Sequence, residues 1–141
     1  MEFATLAKWH AVPTLVLCGV IWIVQVVHYP LYARVGTLEF PGYERDHCAR
    51  IGFLVMPWML VEAVLASWLA WSAPPAQQAY ALAGLALLVV VWGSTFLVQV
   101  PCHRRLELGF DRATWLWLVR SNWVRTVAWS LRGGLATMLI A

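Results

Sequence analysis

The chain is poor in charge. Asp, Glu, Lys and Arg make up 12% of its 141 residues, about half of the roughly 25% usual in a soluble domain. A solvated outer shell cannot be built from so few charges. It also has no C-x-x-C pair, because Cys18, Cys48 and Cys102 stand singly. A quinone-linked thiol oxidoreductase with four membrane helices would need such a pair, which disfavours that class. The lone cysteines read first as small apolar residues. Cys48 and Cys102 each adjoin a histidine, however, so a thiolate ligand stays open. No small-x-small cleavage site closes the apolar run at 11–27, and Leu17 stands where a lipoprotein box needs a small residue. The first segment therefore reads as a retained membrane helix. The net charge of +3 does not mark a nucleic-acid binder, because the arginines fall in blocks beside apolar runs rather than along a soluble face.

What is present in excess is apolar surface. The chain is 62% hydrophobic and carries ten tryptophans. Its apolar runs of about 20 residues are long enough for a ~30 Å hydrocarbon layer, and its length suits one domain. Hydropathy places four spans at about 12–29, 50–71, 79–100 and 115–140. The expected fold is all-α, a four-helix transmembrane bundle. Pro30 should end the first span, Pro57 should kink the second and Pro101 should break or kink the third. Gly133-Gly134 marks a soft spot in the fourth. Trp9, Trp71, Trp115 and Trp117 fall where interfacial aromatic belts form.

Charge then orients the bundle. Arg34, Arg45, Arg50, Arg104, Arg105, Arg112, Arg120 and Arg125 lie around the first and third loops, against Lys8 and Arg132 on the other side. Eight against two puts those loops in the cytoplasm and both termini outside an inner or plasma membrane. His28, His47 and His103 then share the cytoplasmic boundary layer, with His10 on the far side.

A repeated pattern runs through that layer. Val98-Gln99-Val100-Pro101-Cys102-His103-Arg104-Arg105 is echoed by Val24-Gln25-Val26-Val27-His28-Tyr29-Pro30. Each copy leads to a polar residue three before an arginine: His47 with Arg50, and Asn122 with Arg125. Gln25 to Arg50 spans 25 residues and Gln99 to Arg125 spans 26, as two repeated helical hairpins would give. Gln25 and His28, Gln99 and His103, His47 and Arg50, and Asn122 and Arg125 each share a helix face. Membrane helices turn such faces inward, so the eight residues should line one pocket.

Two chemistries suit it. Three imidazoles at His28, His47 and His103 would hold iron, copper or zinc with an open position, or a haem between His28 and His103. Without a metal, Arg50 and Arg125 would hold an anionic or enolisable substrate while a histidine, His103 first, acts as general base. The plainer reading is that the histidines bond interfacial water and lipid phosphates while the arginines snorkel. Glu62 lies near the midplane, roughly 22 Å along the helix from His47 at 1.5 Å per residue. It should be protonated and bonded to Ser94, Thr126 or a freed backbone group, with a proton relay as the bolder role. Glu44 and Asp46 flank His47 and could orient it, or simply favour a helix N-terminus. Glu107 and Asp111 read as solvated loop charges.

Val100-Pro101-x-His103-Arg104-Arg105-Leu106, followed by Asn122-Trp123-x-Arg125-Thr126, resembles the anthrone-oxygenase-like family of small four-helix membrane proteins. The likeness covers about residues 98–130. Family members carry a Val-Pro-x-Asn-x-x-Leu-like segment after the third helix and an Asn-x-x-His-x-x-Arg-Thr-like segment opening the fourth. Here His103 replaces the asparagine, and the histidine before Arg-Thr is missing. The resemblance implies a membrane-embedded four-helix bundle and, for a few members, oxygenation of a polycyclic aromatic to a quinone.

Together these features suggest a membrane oxidoreductase or oxygenase-like enzyme acting on a lipophilic small molecule. In it His28, His47 and His103 bind metal or act as base, while Gln25, Gln99, Asn122, Trp123 and Glu62 orient substrate. The alternative is a non-enzymatic accessory subunit or small-solute carrier whose polar layer packs helices and touches membrane lipids. Ala- and Gly-rich stretches such as 79–86 permit a homo-oligomer.

Overall fold

The computed structural model describes residues 2–140. It consists of four long helical rods: α1 (Phe3–Arg34), α2 (Phe40–Ser72), α3 (Pro75–Leu106) and α4 (Arg112–Ile140). No strand occurs among the described residues, and the fold is an all-α bundle. The first three rods are long and apolar enough to cross a membrane. Residues such as Ile23, Phe53, Val64, Val89 and Leu97 point outward, exposed, as lipid-facing side chains should. The fourth rod does not reach that apolar level. It packs mainly between α1 and α3, so Asn122, Arg125 and Arg132 turn into the bundle rather than toward lipid.

The rods run past the expected spans. α2 begins at Phe40, ten residues before Arg50, and its first turns carry Glu44 and His47 into the interior. Pro30 does not end α1. The helix widens into a π turn at Val24–His28, continues through Tyr29–Leu31 and closes in a 3₁₀ turn at Tyr32–Arg34. α3 does the same, with a π turn at Thr95–Gln99 before Val100–Leu106. The reason is shared. A proline ring clashes with the carbonyl four residues back and removes one hydrogen bond. Those carbonyls belong to Val26 and Leu97, and each lies within a π turn, where one extra residue per turn relieves the crowding. Helical structure likewise passes Pro57 without a break.

The two π turns correct the register of the repeat. Pro30 and Pro101 each stand two residues after a π turn, which pairs His28 with Gln99 and Tyr32 with His103, rather than Gln25 with Gln99. Arg50 and Arg125 are not equivalent either, since Arg50 is exposed and Arg125 buried.

Connections are short. Ala73 and Pro74 join α2 to α3, and Gln78 Nε2 donates to Ala70 O at 3.0 Å across that corner. Gly109, at φ 154°, lies in the turn before α4, a conformation open mainly to glycine. Asp111 then caps α4, its Oδ2 accepting from the Thr114 amide at 2.9 Å and hydroxyl at 2.5 Å. The core is split. A larger cluster around Leu17, Ile21, Tyr29, Tyr32, Met59 and Trp129 fills the end near the π turns, and a smaller one around Leu6, Leu69, Ala81 and Leu139 fills the other. Where lipid is as apolar as the side chains, close packing and buried hydrogen bonds must hold such helices together.

Candidate functional site

A cavity of about 310 Å³ opens among all four helices. Its long side is apolar, formed by Leu17, Ile21, Val55, Met56, Met59 and Trp129. Its other end is polar, with Tyr29, His47, Cys48, Gln99, His103 and Arg125. This is the size range of small-molecule pockets, and the mix of apolar walls with a few converging polar groups is their usual character.

At the polar end three residues form a chain. Glu44 is fully buried, and its Oε1 lies 2.5 Å from His103 Nδ1. The other ring nitrogen, His103 Nε2, lies 2.9 Å from the Tyr29 hydroxyl. Carboxylate, imidazole and phenol are thus linked in series, and Tyr29 and His103 both line the cavity. Both ring nitrogens of His103 are thus engaged, Nδ1 by Glu44 and Nε2 by Tyr29. His28 and His47 form a second contact, Nε2 to Nδ1 at 2.6 Å. His47 joins the two sets, its ring 4.4 Å from that of His28 and 5.6 Å from that of His103. Tyr32 packs against His28 and His47 with its hydroxyl buried.

A neighbouring amide network rests on α4. Asn122 Nδ2 donates to Gln25 Oε1 at 2.9 Å, Gln25 Nε2 donates to Val119 O at 3.1 Å, and Arg125 Nη1 donates to Asn122 Oδ1 at 3.1 Å. Gln99 Nε2 donates to Ser121 Oγ at 3.4 Å. Buried polar atoms without a partner gather here. Gln99 Oε1, Arg125 Nε, Glu44 Oε2 and Tyr32 Oη are four of the six such side-chain atoms among the described residues. The Tyr32 hydroxyl and the Glu44 carboxyl lie beside one another, whereas Gln99 and Arg125 border the cavity; native interiors pair nearly all such atoms.

The sequence-based site is therefore assembled in part. His28, His47, His103, Gln25, Gln99, Asn122 and Arg125 do converge. Arg50 does not join them. It is exposed on the outer side of α2, at the rim of an open groove that reaches His28 and His47 from outside. Trp123 is also turned away, half exposed and edge-on to Trp22. Its position next to Asn122 on a helix rotates it about 100° off the inward face. His28 Nε2 meets His47 Nδ1, while both ring nitrogens of His103 are engaged, by Glu44 and Tyr29.

Glu62 belongs to a different site. It bonds neither Ser94 nor Thr126. Its Oε1 accepts from Arg132 Nη2 at 2.8 Å and Nε at 3.1 Å, and its Oε2 from Trp129 Nε1 at 3.3 Å. Arg132 also donates to Gly84 O and contacts His10 Nε2 at 3.3 Å. Arg132 is thus a core residue, not a boundary charge. With Arg125 also removed from the boundary count, the loop arginines and Lys8 divide seven against one.

Glu44 and Tyr29 were under-ranked by spacing alone. Glu44 is three before His47 and four before Cys48, one helix face, but that signal is readable only once α2 is known to start at Phe40. Cys48 gives the cluster its remaining chemical option. Ligand atoms of Glu44, Cys48 and His103 all lie within 4.8 Å of one another, a donor set of carboxylate, thiol and imidazole. No protein-family model matches this chain, and no curated protein or solved structure shows a match to it.

Proposed function

We propose that this chain is a membrane-embedded oxidoreductase of the oxygenase type, acting on a lipophilic molecule held in the four-helix cavity. The observation that carries this reading is the Glu44–His103–Tyr29 chain at the polar end of an apolar cavity. His103 Nε2 is the proton acceptor, Glu44 orients the ring and stabilises its charged form, and Tyr29 passes or holds the proton. Such positioned acid-base groups supply about 10²–10⁴ in rate. The resemblance of residues 98–130 to anthrone-oxygenase-like proteins supports an enolisable aromatic ketone as substrate. Removing its acidic C–H proton gives an enolate that dioxygen oxidises. In the balanced sum a CH₂ group and O₂ become C=O and H₂O.

Oxygen uptake with anthrone, by the protein in lipid nanodiscs, tests this directly. H103A, E44Q and Y29F should each slow uptake while the variants stay folded. Uptake indistinguishable from protein-free nanodiscs would return the chain to the accessory-subunit or carrier reading.

A metal is the second reading, favoured by the proximity of Glu44, Cys48 and His103 with His47 adjacent. Zinc, iron or copper all accept such donors. Near-stoichiometric metal in protein purified without metal-affinity steps, lost in C48S and H103A, would establish it. Metal-free, colourless protein would refute it.

In the same proposal the first and third loops face the cytoplasm and both termini lie outside, on the seven-to-one bias. A C-terminal alkaline phosphatase fusion should then be active and a fluorescent-protein fusion dark.

A further inference from the structure

Arg125 is a buried cation with nothing to neutralise it. It is 8% exposed, and among the described residues no carboxylate pairs with it. Its neighbours are all uncharged: Nη1 donates to Asn122 Oδ1, the Tyr29 hydroxyl lies beside the guanidinium, and the face of Trp129 is 5.2 Å from the guanidinium carbon. Its Nε has no partner. A charge withdrawn from water costs several kcal/mol unless something compensates it, and a neutral carboxamide, a phenol and one aromatic face do so only in part. Arg125 and Trp129 both line the apolar cavity. So does Gln99, whose carboxamide oxygen is buried and unpartnered. One wall of the cavity thus lacks both a negatively charged acceptor and a hydrogen-bond donor.

We propose that the cavity binds a monoanionic amphiphile. Its oxygen-acid head sits on Arg125, and its apolar body lies along Leu17, Ile21, Val55 and Met59. The head is a carboxylate, or the enolate of the ketone substrate, and only the enolate form rests on the reading of the preceding subsection. A single guanidinium matches a single negative charge. A phosphate dianion would leave one charge uncompensated in an apolar chamber. The guanidinium borders the cavity, and an ionised oxygen is the acceptor that makes the strongest hydrogen bond to it. A hydroxyl on the ligand would satisfy Gln99.

Bromine quenches tryptophan at contact distance, and Trp129 lies in the cavity wall. The test titrates 2-bromododecanoate and 2-bromododecanol, whose bromine lies beside the head group and so beside Trp129, into the nanodisc-embedded chain, taking the quenching that W129F abolishes as the cavity signal. The carboxylate should bind about tenfold or more tighter than the alcohol, the worth of one charge-assisted hydrogen bond. R125M should erase that preference and R125K should keep most of it. Equal affinities on the wild-type chain overturn the proposal without reference to any variant, as does a preference that survives in folded R125M. Anthrone-driven oxygen uptake in the same preparation separates the two claims. Carboxylate preference without uptake supports the anion site and ends the oxygenase reading. Uptake without carboxylate preference overturns the anion site and leaves the oxygenase reading intact.

Discussion

Two arginines lie buried on α4, seven residues apart, and the bundle treats them oppositely. Arg132 meets the carboxylate of Glu62 through two nitrogens, with Trp129 and Gly84 completing the set. Every charge there has its opposite, and the space beside it, about 10 Å³, has no room for a ligand. Arg125 has an amide, a phenol, an aromatic face and an unpartnered nitrogen, and it borders about 310 Å³ of open space. One cluster has its charges matched and joins all four helices, with His10 Nδ1 its one unpartnered atom among the described residues. The other is incomplete and faces a chamber. Buried polar groups that are fully paired hold a fold together, while those left unpaired at a cavity mark where something else must bind.

The sharpest way to break the comparison is to remove one partner at the closed cluster. R132M leaves Glu62 buried without a counter-charge, and unfolding in detergent should be easier by about 3–5 kcal/mol. The double variant E62L/R132M, which removes both charges, should recover most of that loss. If the single and double variants are equally unstable, the pair is not what matters there. At the open end the largest effect should fall on chemistry. H103A should slow anthrone-driven oxygen uptake by about 100-fold or more. N122A should have an intermediate effect on stability, about 1–3 kcal/mol, because it strips Gln25 and Arg125 of their shared partner; thermal unfolding measures it.

The smallest effect is at the surface. The Asp111 carboxylate is held below its ordinary range by hydrogen bonds from the Thr114 hydroxyl and amide. A carboxylate whose folded value is depressed contributes stability above its unfolded pKa and loses it as pH falls through the folded value. Thermal midpoints of the wild-type chain should therefore fall slightly more than those of D111N as the solution is acidified below the unfolded aspartate value near 3.9. Parallel curves would remove Asp111 from the helix cap.

Much of the architecture was readable because membrane helices advertise themselves by length and composition. The inward polar faces were readable too, since Gln25, Gln99, Asn122 and Arg125 sit at helical spacing within apolar surroundings. What stayed hidden depended on contacts across long sequence separations or on exact helix ends. The partner of Glu62 is 70 residues away, and nothing local to either residue distinguishes Arg132 from a boundary anchor. Glu44 read as a neighbour that could orient His47, or as an acid at a helix N-terminus, as long as α2 was placed from Arg50, where hydropathy begins. Arg50 and Trp123 looked inward-facing because spacing fixes which residues share a face but not which face turns in. The π turns were masked by the usual equation of proline with a helix end.

One pair of measurements bears most directly on the division of labour between the two ends. Thermal unfolding of R125M and R132M would be followed with and without 2-bromododecanoate. R125M should unfold near the wild-type temperature and show no ligand-induced shift, because it loses a charge the fold never compensated. R132M should unfold well below wild type yet still be stabilised by the ligand. An R125M variant as unstable as R132M, or one still shifted by the carboxylate, would contradict the assignment of the open cluster to binding.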